Sequence, residues 1–109
     1  GQAFNVIYAE NDDMAKGAVA ALDKANISHG VGKDVIVMGF DCNKWALEEL
    51  LNQNWNYDGQ CNPYQASYIE DVIKKLESGE KIDEKTIIMD EKGFDATTIT
   101  QDDVDQFGI

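Results

Sequence analysis

The chain has 109 residues and a mass of 12.1 kDa, room for one domain at most with a modest core. A formal net charge of −12, with only 9 Lys and Arg, argues against nucleic acid as a partner and disfavours an anionic membrane surface. Two cysteines and one histidine make a structural metal site an unpromising reading. No apolar run approaches the roughly 20 residues of a spanning helix, and no basic start with an apolar stretch marks a signal peptide.

Phe4-Asn5-Val6-Ile7-Tyr8-Ala9 is rich in β-branched and aromatic residues and predicts a strand. It hands directly to a helical pattern, whose first N–H groups need partners that Asp12 or Asp13 could supply as a cap. Asn11 is then left at the carboxyl end of the strand, the edge where ligands bind in open α/β sheets, and its amide can serve hydroxyl groups. The same Asn-Asp pair is also ordinary turn chemistry. Met14, Ala18, Val19, Leu22 and Ala25 give the helix one apolar face. Ser28-His29-Gly30-Val31-Gly32-Lys33 ends it, with His29 expected as a solvated turn residue because no second ligand or catalytic partner sits beside it.

Asp34 to Asp41 is a nearly continuous apolar run that predicts a strand buried on both faces, as in a parallel sheet flanked by helices. From Asn43 to Asn52 the helical period returns, with Trp45, Ala46, Glu49, Leu50 and Gln53 in register and Trp45 as a packing residue. Trp55 to Cys61 is a short strand candidate stopped by Asn62-Pro63. The clearest helix is Tyr64 to Ser78, with a stripe of Tyr68, Ile69, Val72, Ile73 and Leu76, and with Gly79 where a left-handed C-terminal residue belongs. Lys85 to Asp90 predicts a strand, Ala96 to Ile99 another extended piece, and Thr100 with Asp103 the start of a short helix over Gln101 to Gln106. The alternation of strand and helix gives an α/β class.

Three stretches in this order, Ala9-Glu10-Asn11-Asp12-Asp13-Met14-Ala15-Lys16-Gly17-Ala18, Val35-Ile36-Val37-Met38-Gly39-Phe40-Asp41 and Cys61-Asn62-Pro63-Tyr64-Gln65, resemble the type I periplasmic sugar-binding proteins. These are the ribose- and galactose-type receptors of ABC importers, and the resemblance runs from Phe4 to Phe107. It implies an α/β fold that is part of a doubly wound parallel-sheet lobe in a two-lobed receptor. Such a receptor is periplasmic or extracellular, soluble or lipid-anchored. It binds a monosaccharide or polyol between its lobes and delivers it to an ABC permease, with no catalytic residue, metal or cofactor.

On this resemblance the chain is expected to be the C-terminal portion of such a receptor. Residues 1–60 would supply units of the C-terminal lobe, residues 61–80 a crossover helix that packs on the N-terminal lobe, and residues 81–109 returning strands and a short helix. The missing N-terminal part of the receptor would then be a partner, and open strand edges lead one to expect self-association. Carried over by position, Asn11 matches the amide that bonds sugar hydroxyls and Asp41 the carboxylate that accepts two hydroxyl hydrogen bonds. Phe40 matches an apolar residue lining the cleft, although a core Phe at a strand end fits it equally. Cys61 stands where ribose-type members carry a ligand-binding Gln, with Gln60 one position early, so the ligand cannot be read as ribose. Cys42 and Cys61 both fall at the cleft edge, and in an oxidising compartment a disulfide between them is expected.

Two other functions compete. The same fold serves as the effector-binding domain of sugar-responsive transcriptional repressors, against which the acidic charge and the Cys61-Asn62-Pro63-Tyr64 stretch speak. An enzyme using Asp12, Asp13 and Asp41 as acid, base or metal ligands lacks a nucleophile with an adjacent base and a Gly-rich phosphate loop.

Overall fold

The first two apolar runs each become a parallel strand that feeds a helix, in a computed structural model that describes residues 3–109. Strand β1 is Val6–Tyr8 and helix α1 Asp12–Lys24; β2 is Ile36–Asp41 and α2 Lys44–Leu51; β3 is Tyr57–Gln60. After α3 (Ala66–Glu77) come β4 (Gly93–Asp95) and α4 (Gln101–Phe107). The sheet runs in the order β1-β2-β3-β4, with the first three strands parallel and β4 antiparallel to β3. The α/β class holds, and the sheet is mixed at its β4 edge. Asp41 pairs with Gln60 in the β2–β3 register, so the ends of these strands lie side by side.

Two units make up the chain: residues up to Cys61 together with Lys92–Ile109, and Asn62–Glu91. In the first, a core of Val35, Val37, Leu47, Leu50, Trp55, Phe94 and Val104 is fully or nearly fully buried. Helix α1 contributes Ala15 and Leu22 to it, and α2 contributes Ala46, Leu47 and Leu50. Met14, expected on the inner face of α1, is 56% exposed instead, because the buried line of that helix starts at Asp12.

The expectation that β2 is buried on both faces is corrected. Val37 and Gly39 are buried, whereas the alternate residue Ile36 is 42% exposed, and its partner Val6 on β1 is 47% exposed. Successive strand residues point to opposite faces, so the continuous apolar run of β2 serves one packed face and one open face. On the open face Phe40 stands between Tyr8 and Tyr57, with ring centroids 5.2 and 6.3 Å away.

The second unit contains α3. No residue of this helix is buried, although its apolar stripe has the expected spacing. Gly79 has the left-handed φ of +78° expected at the residue after the helix. The strand expected over Lys85 to Asp90 is not formed, and Ile88 in its middle is 86% exposed. A strand needs a ladder to pair with, and this segment has none; the pairing beside β3 is made by Gly93–Asp95. The extended piece expected over Ala96 to Ile99 is instead a turn leading into α4. Thr100 caps that helix in a reciprocal box: its hydroxyl accepts from the Asp103 N–H, while Asp103 accepts from the Thr100 N–H.

Candidate functional site

Three parallel strands end at one edge of the sheet, and the residues singled out as ligand contacts follow from those ends. Asn11 stands between β1 and α1, Asp41 closes β2, and Cys61 follows β3 directly. The structure therefore brings Asn11, Asp41 and Cys61 to the same edge. Phe40 is different, since its ring lies in the aromatic row on the open sheet face. Gly59 makes room for it, because a side chain there would meet the Phe40 ring at 2.5 Å.

The capping roles at the head of α1 are the reverse of those expected. Asn11 is the N-cap: its Oδ1 accepts from the Met14 N–H at 2.8 Å. Its backbone is extended there, and the side-chain amide –NH₂ group is a separate donor that capping does not use. Asp12 turns inward and is fully buried, where its Oδ2 accepts from the Asn43 N–H at 2.9 Å and from Asn43 Nδ2 at 3.0 Å. The first turn of α1 is thereby tied to the loop before α2.

Asp41 and Cys42 both have left-handed φ values, +129° and +60°. Non-glycine residues in such regions cost about 1–3 kcal/mol each and tend to cluster at functional sites. Asp41 has its carboxyl held above the ordinary value, first by desolvation and next by the charge of Asp12, with Asp13 adding to the effect. The Asp12 backbone N–H, hydrogen-bonded to the Asp41 carboxylate, pulls the other way. Asp41 therefore lies near the first turn of α1, the helix that Asn11 caps.

The expected disulfide is corrected: Cys42 and Cys61 are both free thiols. Cys42 is fully buried, and its N–H donates to Asp58 Oδ1 at 3.2 Å, whereas Cys61 is exposed. One thiol points into the core and the other outward, so proximity along the edge does not make a pair. Burial, with the nearby Asp58 and Asp12 carboxylates, pushes the Cys42 thiol well up from its ordinary value, so it stays protonated. Gln60 is also occupied, its Oε1 accepting from the Lys92 N–H at 3.2 Å while its own N–H donates to the Lys92 carbonyl. Among the described residues no group of three His, Cys, Asp or Glu side chains is arranged to hold a metal ion.

No protein-family model matches the chain. It is 33% identical over 92 residues to the fructose import binding protein FruE of Bifidobacterium longum, a match covering 84% of this chain and 27% of that protein. Over 50 residues it is 38% identical to the ribose import binding protein RbsB of Bacillus subtilis, covering 46% of this chain and 14% of that one. The chain is thus a relative of sugar import binding proteins. Among solved structures it resembles the periplasmic binding protein component of the arabinose ABC transporter from Shewanella sp. ANA-3, bound to α- and β-L-arabinofuranose. That likeness has a TM-score of 0.78 at 26% identity and covers 90% of this chain and 32% of the other. The chain spans about a quarter of the length of FruE and about a third of the length of the arabinose-binding protein.

The positions of two further residues, Asp58 and His29, were missed by sequence reasoning. Asp58, on β3, is fully buried, and its inward position could have been read from strand alternation with Tyr57. Burial and the carboxyl group of Asp12 push its pKa up to about 9, so it is protonated at neutral pH. His29 is not the solvated turn residue expected: its side chain is 13% exposed, with Nδ1 2.8 Å from the Asn54 carbonyl and Nε2 3.0 Å from Asp23 Oδ1. Nothing local signals this, because Asn54 reaches His29 only when the end of α2 folds against the turn after α1. Trp45 and Trp55 meet edge-on beside that turn, 5.8 Å between centroids, and Lys16 Nζ lies 4.5 Å from the Trp45 ring centre, which fits the packing role expected for Trp45.

Proposed function

We propose that this chain is the part of an extracytoplasmic solute-binding protein that supplies one wall of a sugar cleft, in a receptor delivering a monosaccharide or polyol to an ABC permease. The observation that carries this reading is that Asn11 and Asp41 stand at the carboxyl ends of adjacent parallel strands, in a chain related to sugar import binding proteins. An ionised Asp41 would accept two hydroxyl hydrogen bonds, and the Asn11 amide would donate to a third oxygen while its Oδ1 holds the helix cap. Cys61 takes the position of an amide in ribose-type relatives, and a thiol is a weak hydrogen-bonding group, so the favoured ligand makes fewer polar contacts on that side. The reaction is binding alone: a sugar touching two lobes shifts the population toward a closed form.

Isothermal titration of the full-length protein containing this chain against pentoses, hexoses and polyols tests the reading. At least one sugar is expected to bind. Asp41→Ala should weaken it by about 10- to 100-fold, the worth of a charged hydrogen bond. Asn11→Ser, which keeps a capping oxygen but no amide donors, should weaken binding while leaving thermal stability unchanged. Absence of binding to every sugar tried, or an Asp41→Ala protein that binds like the parent, would overturn it.

A further inference from the structure

Beneath the cleft edge lie two carboxyl groups, both fully buried, that come from different elements: Asp12 from α1 and Asp58 from β3. Each has one oxygen with donors. Asp12 Oδ2 takes two from Asn43, and Asp58 Oδ1 takes one from the Cys42 N–H. The other oxygens, Asp12 Oδ1 and Asp58 Oδ2, are buried and have no donor among the described residues. Both lie over the same glycine. A side chain on Gly39 would stand 2.5 Å from Asp12 Oδ1 and 3.5 Å from Asp58 Oδ2.

The groups facing this pair offer no compensating positive charge. Asp58 faces Asp12 from α1 and Cys42 from the turn after β2; Asp41 faces Asp12 from the end of β2, and Asp13 stands next to Asp41. Two buried carboxylates without a cation cannot both ionise, and the neutral member can donate to the charged one. A single proton satisfies both orphaned oxygens at once. We propose that Asp12 and Asp58 share one proton and form a pH-sensitive lock on the turns that carry Asn11 and Asp41. Through Asn43, Cys42 and the N-terminus of α1, this one hydrogen bond joins all three strand ends. Asp58 is a positioning residue here, and the lock is independent of which ligand the edge binds.

The folded chain keeps a proton that the unfolded chain releases near the ordinary carboxyl value of about 4. The lock therefore stabilises fully below that pH, and its contribution declines as pH rises toward the folded pKa of about 9, then levels off. The test is a pH titration of the 109-residue chain, following the carboxyl carbon resonances of selectively labelled Asp, with urea unfolding in parallel. One buried carboxyl should stay protonated past pH 7 and titrate only near pH 9. The folding equilibrium should fall by up to about tenfold per pH unit relative to Asp58→Asn. In that variant the amide can donate to Asp12 Oδ1 and still accept from Cys42, so its stability should lack this decline. If every Asp carbon titrates below about pH 5, or if the two proteins lose stability in parallel, the lock does not exist. Should Asp58→Asn fail to fold, the carbon titration of the unaltered chain decides alone.

Discussion

The two units use the same kind of sequence to different ends. Helix α2 and helix α3 both have apolar residues at helical spacing, yet α2 buries Ala46, Leu47 and Leu50 while α3 buries none of its residues. Ile69, Ile73 and Leu76 on α3 remain exposed. Amphipathic periodicity makes a helix and marks which face wants cover; whether cover is present depends on other elements. In the first unit, α4, β3 and β4 pack against α2 and supply it.

The sharpest way to break this contrast is truncation in each unit. Trp55→Ala, at a side chain only 1% exposed, should lower the unfolding free energy by about 3–5 kcal/mol, whereas Ile73→Ala on α3 should change it by less than about 0.5 kcal/mol. Urea midpoints at constant slope measure both. A large effect at Ile73 would mean that its stripe is covered.

Glycines give the next largest effect. Gly39→Ala would drive a methyl to 2.5 Å from Asp12 Oδ1 and 2.9 Å from the Trp55 ring, an overpacking cost of about 1–3 kcal/mol. Gly79→Ala meets no atom within 4 Å and is disfavoured only by its φ of +78°, about 1 kcal/mol, read as a local loss of helicity at the end of α3. Equal losses at the two sites would erase the distinction between a packing glycine and a backbone glycine.

Helix starts give the smallest difference. Thr100→Ala removes the capping box of α4 and should cost about 1 kcal/mol, visible as a lower thermal midpoint. Gln65→Ala, at the start of α3, removes no side-chain cap bond and should stay within about 0.5 kcal/mol of the parent.

Most of the regular structure was legible locally. The helices over Asp12–Lys24, Lys44–Leu51, Ala66–Glu77 and Gln101–Phe107 follow from apolar period and turn residues, and β2 and β3 follow from short apolar runs. Lys85 to Asp90 misled because β-branched composition favours a strand only where a ladder exists. The edge location of Asn11, Asp41 and Cys61 was also legible, since strand-to-helix order fixes which ends of parallel strands coincide. What their side chains do there was less so. Asn11 or Asp12 can each cap a helix, and the choice fell to Asn11 because Asp12 has Asn43 to bond in the interior.

The sequence by itself determined the α/β alternation, the edge to which the polar residues belong and the sugar-binding protein resemblance, because period, turn chemistry and motif order are local properties of a chain. Only the tertiary structure decided that β2 has an open face, that Cys42 and Cys61 are free, that His29 is held by Asn54 and Asp23, and that Asp12 meets Asp58. Each of these depends on which distant segments share one side of the sheet. Spacing along the chain does not encode that proximity, and burial then sets the charge state of the groups it brings together.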